Sequence, residues 1–286
     1  MMYTFEYQST GVPVRLDIHP ATHASAPAVV YLHGGALIWG SRRNLPAWQL
    51  ELYRQAGFSV VTVDYHLAPE TKLPAIVADV QAALLWLSRE GSRVHIDPTR
   101  VAVVGHSAGG YLALQSGTFP APARPRAIVS FYGYGDISAN WYSQPSPFYC
   151  QQPAVSLSDA LSVVGSDEVS EGERSRFPFY LHCRQQGCWV QQVLGPDDTP
   201  ERVDSYCPAS QVTPDFPPTL LLHGDRDTDV PFEQSLWMRD RLQAAGVDHQ
   251  LVLLPGLGHA FDYEPSRPEV SSAFQTVLEF LKQHLC

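Results

Sequence analysis

Short runs of apolar, largely β-branched residues recur along the chain, and between them apolar residues repeat at helical spacing. The runs are bounded by Gly, Pro, Asp or His, as buried strands are. We predict strands over Ala28–Leu32, Ser59–Val63, Val101–Val104, Ala127–Phe131, Thr219–Leu222 and Gln250–Leu254. We predict helices over Pro46–Ala56, Pro74–Ser88, Ala108–Ser116, Phe232–Ala245 and Pro268–His284. This alternation predicts an α/β fold with a mostly parallel central sheet flanked by helices.

Two parts of the chain depart from the alternation. Tyr3–Gln8 and Val12–His19, separated by Ser9-Thr10-Gly11, predict an antiparallel hairpin that leads into the sheet. From about Asp136 to Asp215 the sequence has no strand pattern and is rich in aromatic, Pro, Gln and Cys residues. A structureless loop of that length is improbable in a compact domain. We therefore predict an α/β core and an inserted, mainly helical lid, with the core at 1–135 and 216–286 and the lid at 136–215.

Composition and charge exclude several classes of partner. The chain has 286 residues, of which 44% are hydrophobic and 17% charged, which is typical of a globular protein. Its formal net charge of −10 counts against nucleic acid, because such binding needs clustered Lys and Arg. The sequence shows no apolar run near the roughly 18 residues of a membrane span, and no secretion signal. We expect a cytoplasmic protein with no nucleic-acid partner and no membrane span; the oligomeric state stays open.

The cysteines do not follow a disulfide or zinc pattern. They are Cys150, Cys183, Cys188, Cys207 and Cys286. Their number is odd, and the sequence shows no secretion signal, so a disulfide framework is not implied. Cys183 and Cys188 lack zinc-ligand spacing, and His182 is the only histidine near them. We expect reduced thiols and no metal, with a disulfide within residues 150–207 as the alternative.

The stretch VAVVGHSAGGYLAL at 101–114 changes from a strand pattern to a helical one at a turn of small residues. The turn contains Gly105-His106-Ser107-Ala108-Gly109, a G-x-S-x-G pattern in the strand-to-helix position of a nucleophile elbow. Small neighbours let Ser107 take a strained backbone angle and present its Oγ above the sheet. The Ala108 N–H at the helix start can then stabilise an oxyanion. The alternative is a glycine-rich turn that only packs a helix against a strand.

A serine nucleophile needs a histidine base and a carboxylate, which in this fold follow later strands. His259 lies in the glycine-flanked loop after the last predicted strand, and we predict it as the base. Asp225, Asp227 and Asp229 all follow the TLLL strand, and spacing alone does not separate them. Asp262 is a fourth candidate, but it follows His259 too closely to reach the ring easily.

The loop after the AVVYL strand is expected to complete an oxyanion site. It contains His33-Gly34-Gly35-Ala36, and residues without side chains let backbone N–H groups approach a substrate oxygen. The alternative is a plain strand-ending turn. Of the other histidines near these motifs, we expect His106 and His223 to support neighbouring loops.

With these residues in place, the chain resembles the α/β-hydrolase superfamily, and within it the hormone-sensitive lipase-like esterases and related carboxylesterases. The resemblance runs from about Val29 to Phe261 outside the predicted lid. Its motifs are HGGA at His33, DYHLAPE at Asp64, GHSAGG at Gly105, HGDRDTDVPFEQS at His223 and GLGHAF at Gly256. The resemblance implies the α/β-hydrolase fold and these roles: nucleophile Ser107, acid Asp227, base His259, and oxyanion donors Gly34, Gly35 and Ala108.

The sequence departs from the family pattern at two motifs and at its N-terminal side. Ala36 interrupts the usual glycine triplet, which we expect to be tolerated. His66 stands where the family's D-Y-R-L-A-P-E motif has arginine, which leaves open how the hydrogen bonds of that arginine are replaced. We also expect no N-terminal cap of the kind common in hormone-sensitive lipase-like members, since in this sequence only the predicted hairpin precedes the first core strand.

The resemblance implies a serine hydrolase that cleaves carboxylic esters of small to medium substrates through an acyl-enzyme, without metal or organic cofactor. Its partner would be a small-molecule ester. The acid loop also resembles that of prolyl oligopeptidase-type peptidases, so an amide hydrolase, such as an arylformamidase or small peptidase, is the first alternative. A non-catalytic ligand receptor of this fold is the second. The aromatic residues of the predicted lid fit a substrate pocket and a core of the insert equally well.

Overall fold

The computed structural model describes residues 2–8, 11–196 and 199–286, which form an eight-stranded sheet with the order β1-β2-β4-β3-β5-β6-β7-β8. The strands are β1 (Tyr3–Gln8), β2 (Val14–His19), β3 (Ala26–Leu32), β4 (Ser59–Val63), β5 (Ile96–His106), β6 (Ala127–Phe131), β7 (Thr219–Gly224) and β8 (His249–Leu254). Neighbouring strands are parallel from β4 to β8, and β2 is antiparallel to both β1 and β4. The predicted mostly parallel sheet is confirmed.

The helices are α1 (Ala47–Gln55), α2 (Leu73–Glu90), α3 (Ala108–Ser116), α4 (Asn140–Ser143), α5 (Leu157–Ser162), α6 (Phe177–Gln186), α7 (Trp189–Leu194), α8 (Pro200–Asp204), α9 (Glu233–Ala244) and α10 (Pro268–Leu285). Both faces of the sheet are covered, by α1, α2, α3, α9 and α10. Along β3, Val30 packs with the apolar cluster on the α2 and α3 side, whereas Val29 packs with that on the α1 and α10 side. Because both faces are buried, the strands are continuous apolar runs rather than alternating ones.

The predicted elements and the observed ones differ mainly at their ends. The antiparallel hairpin of β1 and β2 is present, but β2 begins at Val14 rather than Val12. Of the predicted turn, Ser9 and Thr10 lie outside the described residues. Strand β5 begins at Ile96, well before the predicted start. The prediction missed this start because residues 97–100 are partly or fully exposed and form no apolar run.

Residues 136–215 form the short helices α4 to α8 and several 3-10 turns within the part of the chain that the structure describes. Side chains such as Trp189 and Phe179 belong to the same apolar cluster as α2 and α3. Arg176 fixes this segment to the core, because it donates to the carboxylate of Glu70 at 2.6 Å and to the carbonyl oxygen of Ile38 at 2.6 Å. The division into a core and a lid stays a prediction.

Two further observations concern the whole described chain. None of its helices combines the length and apolar character needed to cross a membrane. The cysteines are free thiols; Cys183 and Cys207 are buried, while Cys150 and Cys286 are exposed.

Candidate active site

Ser107 sits on the tight turn between β5 and α3 with φ 56° and ψ −118°, a backbone conformation that is strained for a residue with a side chain. The glycines on either side of Ser107 have no room for a side chain. A Cβ on Gly105 would lie 1.9 Å from the carbonyl oxygen of Gly109, and one on Gly109 would lie 2.0 Å from that of Leu32. The small residues therefore let strand and helix approach closely enough to project Ser107 from the edge of the sheet.

Three side chains from the ends of β5, β7 and β8 form one hydrogen-bonded chain. His259 Nε2 lies 3.0 Å from Ser107 Oγ, and His259 Nδ1 lies 2.7 Å from Asp227 Oδ2. Because the carboxyl ends of parallel strands meet at one edge of a sheet, residues distant in sequence converge there. The structure thus brings together the serine, histidine and aspartate that the sequence resemblance pointed to.

Asp227 is held by both of its oxygens. Oδ1 accepts the backbone N–H groups of Asp229 at 2.8 Å and Val230 at 2.9 Å, and Oδ2 also lies 3.2 Å from His223 Nε2. Burial alone would raise the pKa of Asp227, but its hydrogen bonds with His223 and His259 outweigh burial and hold that pKa well below its usual range. The carboxylate is therefore a fixed anion behind the imidazole.

The other candidate acids have different partners. Asp225 accepts the N–H of Gly256 at 2.6 Å, and Asp262 accepts from the side chains of Gln49, at 2.8 Å, and Tyr132. Asp229 is hydrogen-bonded to residues of α6. Of the four, Asp227 is therefore the one that accepts from His259 Nδ1.

The imidazole of His259 is partly buried and lies against the ring of Tyr132, with the two ring centroids 4.5 Å apart. Burial alone would lower the pKa of His259. The hydrogen bond and charge of Asp227, with smaller contributions from Asp229 and Asp262, raise that pKa above its ordinary value of 6.5. A histidine must be neutral to accept a proton, so a base at this position works best above that raised pKa.

The loop that follows β3 lies directly beside Ser107. A Cβ on Gly34 would be 3.3 Å from the Ser107 Cβ, so this backbone passes within contact distance of the elbow. Gly35 has φ 112°, and a Cβ there would lie 2.0 Å from the carbonyl oxygen of Trp39. The Ala108 N–H is at the first position of α3, where helix geometry provides no intrahelical acceptor. Backbone from two segments, the loop after β3 and the start of α3, therefore flanks the serine.

His33 and Tyr65 hold this loop in place. His33 Nδ1 lies 2.7 Å from the carbonyl oxygen of Gly34, and the Tyr65 hydroxyl donates to the carbonyl oxygen of His33 at 2.7 Å. The two rings stack with their centroids 4.2 Å apart. Burial lowers the pKa of His33 to about 4, so its ring is neutral near pH 7. Tyr65 was not among the predicted site residues, although it stands in the DYHLAPE motif.

His223 supports the acid directly, whereas the sequence predicted only that it supports neighbouring loops. Its Nδ1 lies 2.7 Å from the Ser235 hydroxyl and its Nε2 lies 3.1 Å from the carbonyl oxygen of Val230. Together with the contact to Asp227, these bonds fix the acid loop to β7 and α9. The signal available in the sequence was the position of His223 in HGDRDTDVPFEQS, near the end of β7 and four residues before Asp227. His106, in contrast, lies 3.4 Å from Asp262 and packs among aromatic rings beneath the elbow.

A cleft of about 530 Å³ opens beside the acid loop. Its lining includes Asp227 and Asp229 on the core side, and Trp141, Phe148 and Arg184 on the side of residues 136–215. A larger cleft of about 650 Å³ lies between β1 and α2, and neither cleft has Ser107 or His259 in its lining. Among the described residues, no group of three or more His, Cys, Asp or Glu side chains is arranged to hold a metal ion. The hydrogen-bonded chain consists of protein groups throughout.

The fold and this arrangement of motifs define an α/β-hydrolase. A solved α/β-hydrolase superfamily protein from Enterococcus faecalis is 25% identical, superposes with a TM-score of 0.80, and the match covers 99% of each chain. Carboxyl esterase 2 of Tuber melanosporum has the same fold, with a TM-score of 0.73 at 21% identity over 100% of this chain and 88% of that one. The resemblance to this superfamily is therefore confirmed.

The chain belongs to the BD-FAE family, whose model matches residues 16–242. A dienelactone hydrolase family model matches residues 209–285. Among curated proteins, a non-reducing polyketide synthase of Emericella nidulans is 29% identical in a match that covers 92% of this chain. The match spans only 13% of the synthase's length, so this chain corresponds to one part of a much larger protein.

Proposed function

We propose that this protein is a serine hydrolase that cleaves carboxylic esters of small to medium substrates. The observation that carries the proposal is the hydrogen-bonded chain from Asp227 through His259 to Ser107, with separations of 2.7 and 3.0 Å. The elbow presents Ser107 with a strained backbone, and backbone from two segments flanks it. These are the parts that acyl transfer through a serine requires.

The reaction proceeds in two acyl transfers. Ser107 Oγ attacks the ester carbonyl carbon while its proton passes to His259 Nε2, and the N–H groups of Gly34, Gly35 and Ala108 stabilise the oxyanion. The intermediate then expels the alcohol, which takes the proton from His259. Water next attacks the acyl carbon and gives a proton to the same nitrogen. The second intermediate then breaks its bond to Ser107 Oγ, which takes that proton from His259, and the acid is released. Asp227 holds the imidazole and stabilises its charged form throughout.

In this proposal residues 136–215 act as a lid over the substrate. Trp141 and Phe148 line the cleft beside the acid loop and offer apolar surface to an acyl or alcohol group. Tyr142 and Trp189 are buried and stack with their ring centroids 4.0 Å apart, so they serve the packing of the segment instead. Some aromatic residues of this segment thus line the cleft, and others form the apolar core of the segment.

The family comparisons support ester chemistry and suggest a second candidate. The partial match to a dienelactone hydrolase model favours lactones as substrates, since a lactone is a cyclic ester. The similarity to part of a polyketide synthase favours hydrolysis of an acyl thioester, because polyketide synthesis uses thioester-activated acyl groups. Both reactions use the same attack by Ser107 and differ only in the leaving group.

Labelling with a fluorophosphonate, followed by peptide mass spectrometry, tests the proposed nucleophile. We expect one adduct, at Ser107, and no adduct in the Ser107→Ala variant. Turnover of p-nitrophenyl esters should be lost in that variant while its melting temperature stays near that of the unmodified protein. A wild-type protein that folds but neither labels nor turns over any substrate would favour the receptor alternative.

A substrate panel then separates the reaction classes. The panel contains matched oxygen esters, lactones, thioesters and anilides with the same acyl group. Highest kcat/KM on oxygen esters or lactones supports the main proposal, and highest kcat/KM on thioesters supports the second candidate. Preference for anilides would mean an amide hydrolase. Acyl groups of increasing length on one leaving group would measure how much apolar surface the cleft offers.

A further inference from the structure

Asp229 has no role in the mechanism above, yet it faces the base. Its Oδ2 lies 3.7 Å from His259 Nε2, the same nitrogen that contacts Ser107 Oγ. Asp227 holds the opposite nitrogen, Nδ1. The imidazole of His259 therefore has a carboxylate near each of its nitrogens.

The other oxygen of Asp229 is held by α6, in the segment proposed as a lid. Asp229 Oδ1 accepts from the Tyr180 hydroxyl at 2.6 Å and from Arg184 Nη1 at 2.7 Å. Arg184 Nη1 also lies 3.1 Å from the backbone oxygen of Asp229. One carboxylate oxygen is thus fixed by the insert, while the other is left facing the base.

Arg184 is itself firmly placed. Only 3% of the residue is exposed, and its guanidinium carbon lies 5.0 to 5.6 Å from four aromatic ring centroids. The rings are those of Trp141, Tyr142, Tyr149 and Tyr180. A guanidinium enclosed by aromatic faces is held by cation–π attraction as well as by its hydrogen bonds. Arg184 therefore keeps Asp229 from moving towards the imidazole.

The two charges act on His259 Nε2 in opposite directions. A carboxylate at this distance favours a proton on the nitrogen, and a guanidinium bound to that carboxylate weakens the effect. If Asp229 were unrestrained, its free oxygen would be able to reach hydrogen-bonding distance of Nε2 and displace Ser107. With Arg184 in place, Ser107 remains the nearest partner of the nitrogen.

We propose that the Arg184–Asp229 ion pair sets the proton affinity of His259, with Asp229 as a positioning residue and Arg184 as its restraint. The proposal rests on the proposed function, in which His259 is the base. When Ser107 gives its proton to Nε2 and bonds to the acyl carbon, the positive charge that forms on the imidazole has the Asp229 carboxylate 3.7 Å from Nε2. The proton stays on Nε2 until the leaving group takes it, and none passes to Asp229.

Other titratable groups face the imidazole from several elements. They are His106 at the end of β5, Tyr132 after β6, Asp227 after β7, and Asp262 in the 3-10 turn after β8. All of them are unchanged when Asp229 or Arg184 is substituted. A shift that reverses its direction between these two variants is therefore assignable to the ion pair.

The test is the pH dependence of kcat/KM on an uncharged p-nitrophenyl ester for Asp229→Asn and Arg184→Met. We expect the acidic limb of the profile to move to lower pH in Asp229→Asn and to higher pH in Arg184→Met. At pH 5.5, kcat/KM relative to its plateau should rise about threefold in the first variant and fall about threefold in the second. Arg184→Lys, which keeps the charge, should restore most of the wild-type profile.

The second ion pair between this segment and the core supplies matched controls. Glu70→Gln and Arg176→Met make the corresponding changes in a pair separated by 2.6 Å whose carboxylate does not face His259. We expect no movement of the acidic limb in either control. Circular dichroism and melting curves report whether each variant folds. If Arg184→Met does not fold, the acidic limbs of Asp229→Asn and Arg184→Lys carry the test of the ion pair.

Two failures can be told apart. If Ser107 labels with a fluorophosphonate but Asp229→Asn leaves the acidic limb in place, or both variants move it in one direction, the ion-pair proposal is wrong. If Ser107 in the folded wild-type protein does not label and no substrate is hydrolysed, the proposed function itself fails.

Discussion

Two histidines of this chain, His66 and His259, each have Nδ1 at 2.7 Å from an aspartate Oδ2, and only His259 belongs to the candidate site. The difference lies at the other ring nitrogen. His66 Nε2 is 3.1 Å from the backbone oxygen of Val12, whereas His259 Nε2 is 3.0 Å from Ser107 Oγ. The group that faces Nε2 of the histidine therefore decides whether a histidine–aspartate pair supports the fold or can take part in a reaction.

The His66–Asp79 pair also shows how this chain replaces the hydrogen bonds of the family's arginine, which the sequence left open. In place of the family's arginine, His66 bonds to Asp79 with its ring and with its backbone N–H, at 2.7 and 2.9 Å. Both side chains are almost fully buried. The shorter imidazole thus links the DYHLAPE segment to α2 and to the chain before β2. The departure from the family motif changes a structural contact and leaves Ser107 untouched.

The largest contrast between the pairs should come from removing the charge of each aspartate. Asp227→Asn should lower kcat by about 10⁴-fold without unfolding the protein, because the amide favours the wrong tautomer of His259. Asp79→Asn should leave kcat per folded molecule within about twofold of wild type. Steady-state kinetics with active-site titration makes the comparison. A large loss of kcat in folded Asp79→Asn would show that the two pairs are not distinct.

A smaller loss of activity should follow from a substitution in the proposed oxyanion loop. This loop lies beside Ser107, and the His66–Asp79 pair has no counterpart to it. Gly35→Ala should lower kcat by about 10²-fold, because a Cβ at 2.0 Å from the Trp39 carbonyl oxygen forces the donor out of place. The variant should also melt at lower temperature, since φ at this position is positive. Unchanged kcat in the folded variant would remove Gly35 from the oxyanion site.

Stability should rank the two substitutions in the opposite order from activity. Asp79→Asn should lower the free energy of unfolding by about 3 kcal/mol, because the buried ring of His66 loses its charged partner. Asp227→Asn should cost less, since the His259 side chain is 21% exposed and solvent can replace part of the contact. Urea unfolding at pH 6 measures both. Equal losses would mean that both pairs mainly support the fold.

The smallest expected effect is the pH dependence that His66 adds to stability. The hydrogen bond with Asp79 raises the pKa of His66 in the folded protein, so folding favours its protonated form. Its contribution is full below about pH 6.5, the unfolded value, and is lost as the pH rises through the raised folded pKa. His66→Gln should remove this decline. Since His259 titrates in the same direction, the difference between wild type and variant is the quantity to measure.

The sequence predicted the sheet and the meeting of Ser107 and His259 because both follow strands whose carboxyl ends share one edge. It did not separate Asp225, Asp227 and Asp229, since the choice depends on how the acid loop bends. There the N–H groups of Asp229 and Val230 bind one oxygen of Asp227 and turn the other towards the imidazole. Periodicity carries no information about such a turn.

The contacts of the insert were beyond prediction for a different reason. Arg184 lies in a segment that the family resemblance did not cover, 45 residues from its partner Asp229. Its position depends on aromatic packing within residues 136–215, whose described residues form short helices and no strand that would fix a direction. His66 and Asp79 similarly gave no pairing signal, because His66 lies inside the DYHLAPE motif and Asp79 lies on the buried face of α2.

The central claim is that the hydroxyl of Ser107 is the nucleophile and that His259, not His66, activates it. The most direct measurement is the rate of fluorophosphonate adduct formation at Ser107 in wild type, His259→Gln and His66→Gln. We expect adduct formation to fall by at least about 10³-fold in His259→Gln and to stay within about twofold of wild type in folded His66→Gln. Equal labelling rates in wild type and His259→Gln, or an adduct at another residue, would contradict the account.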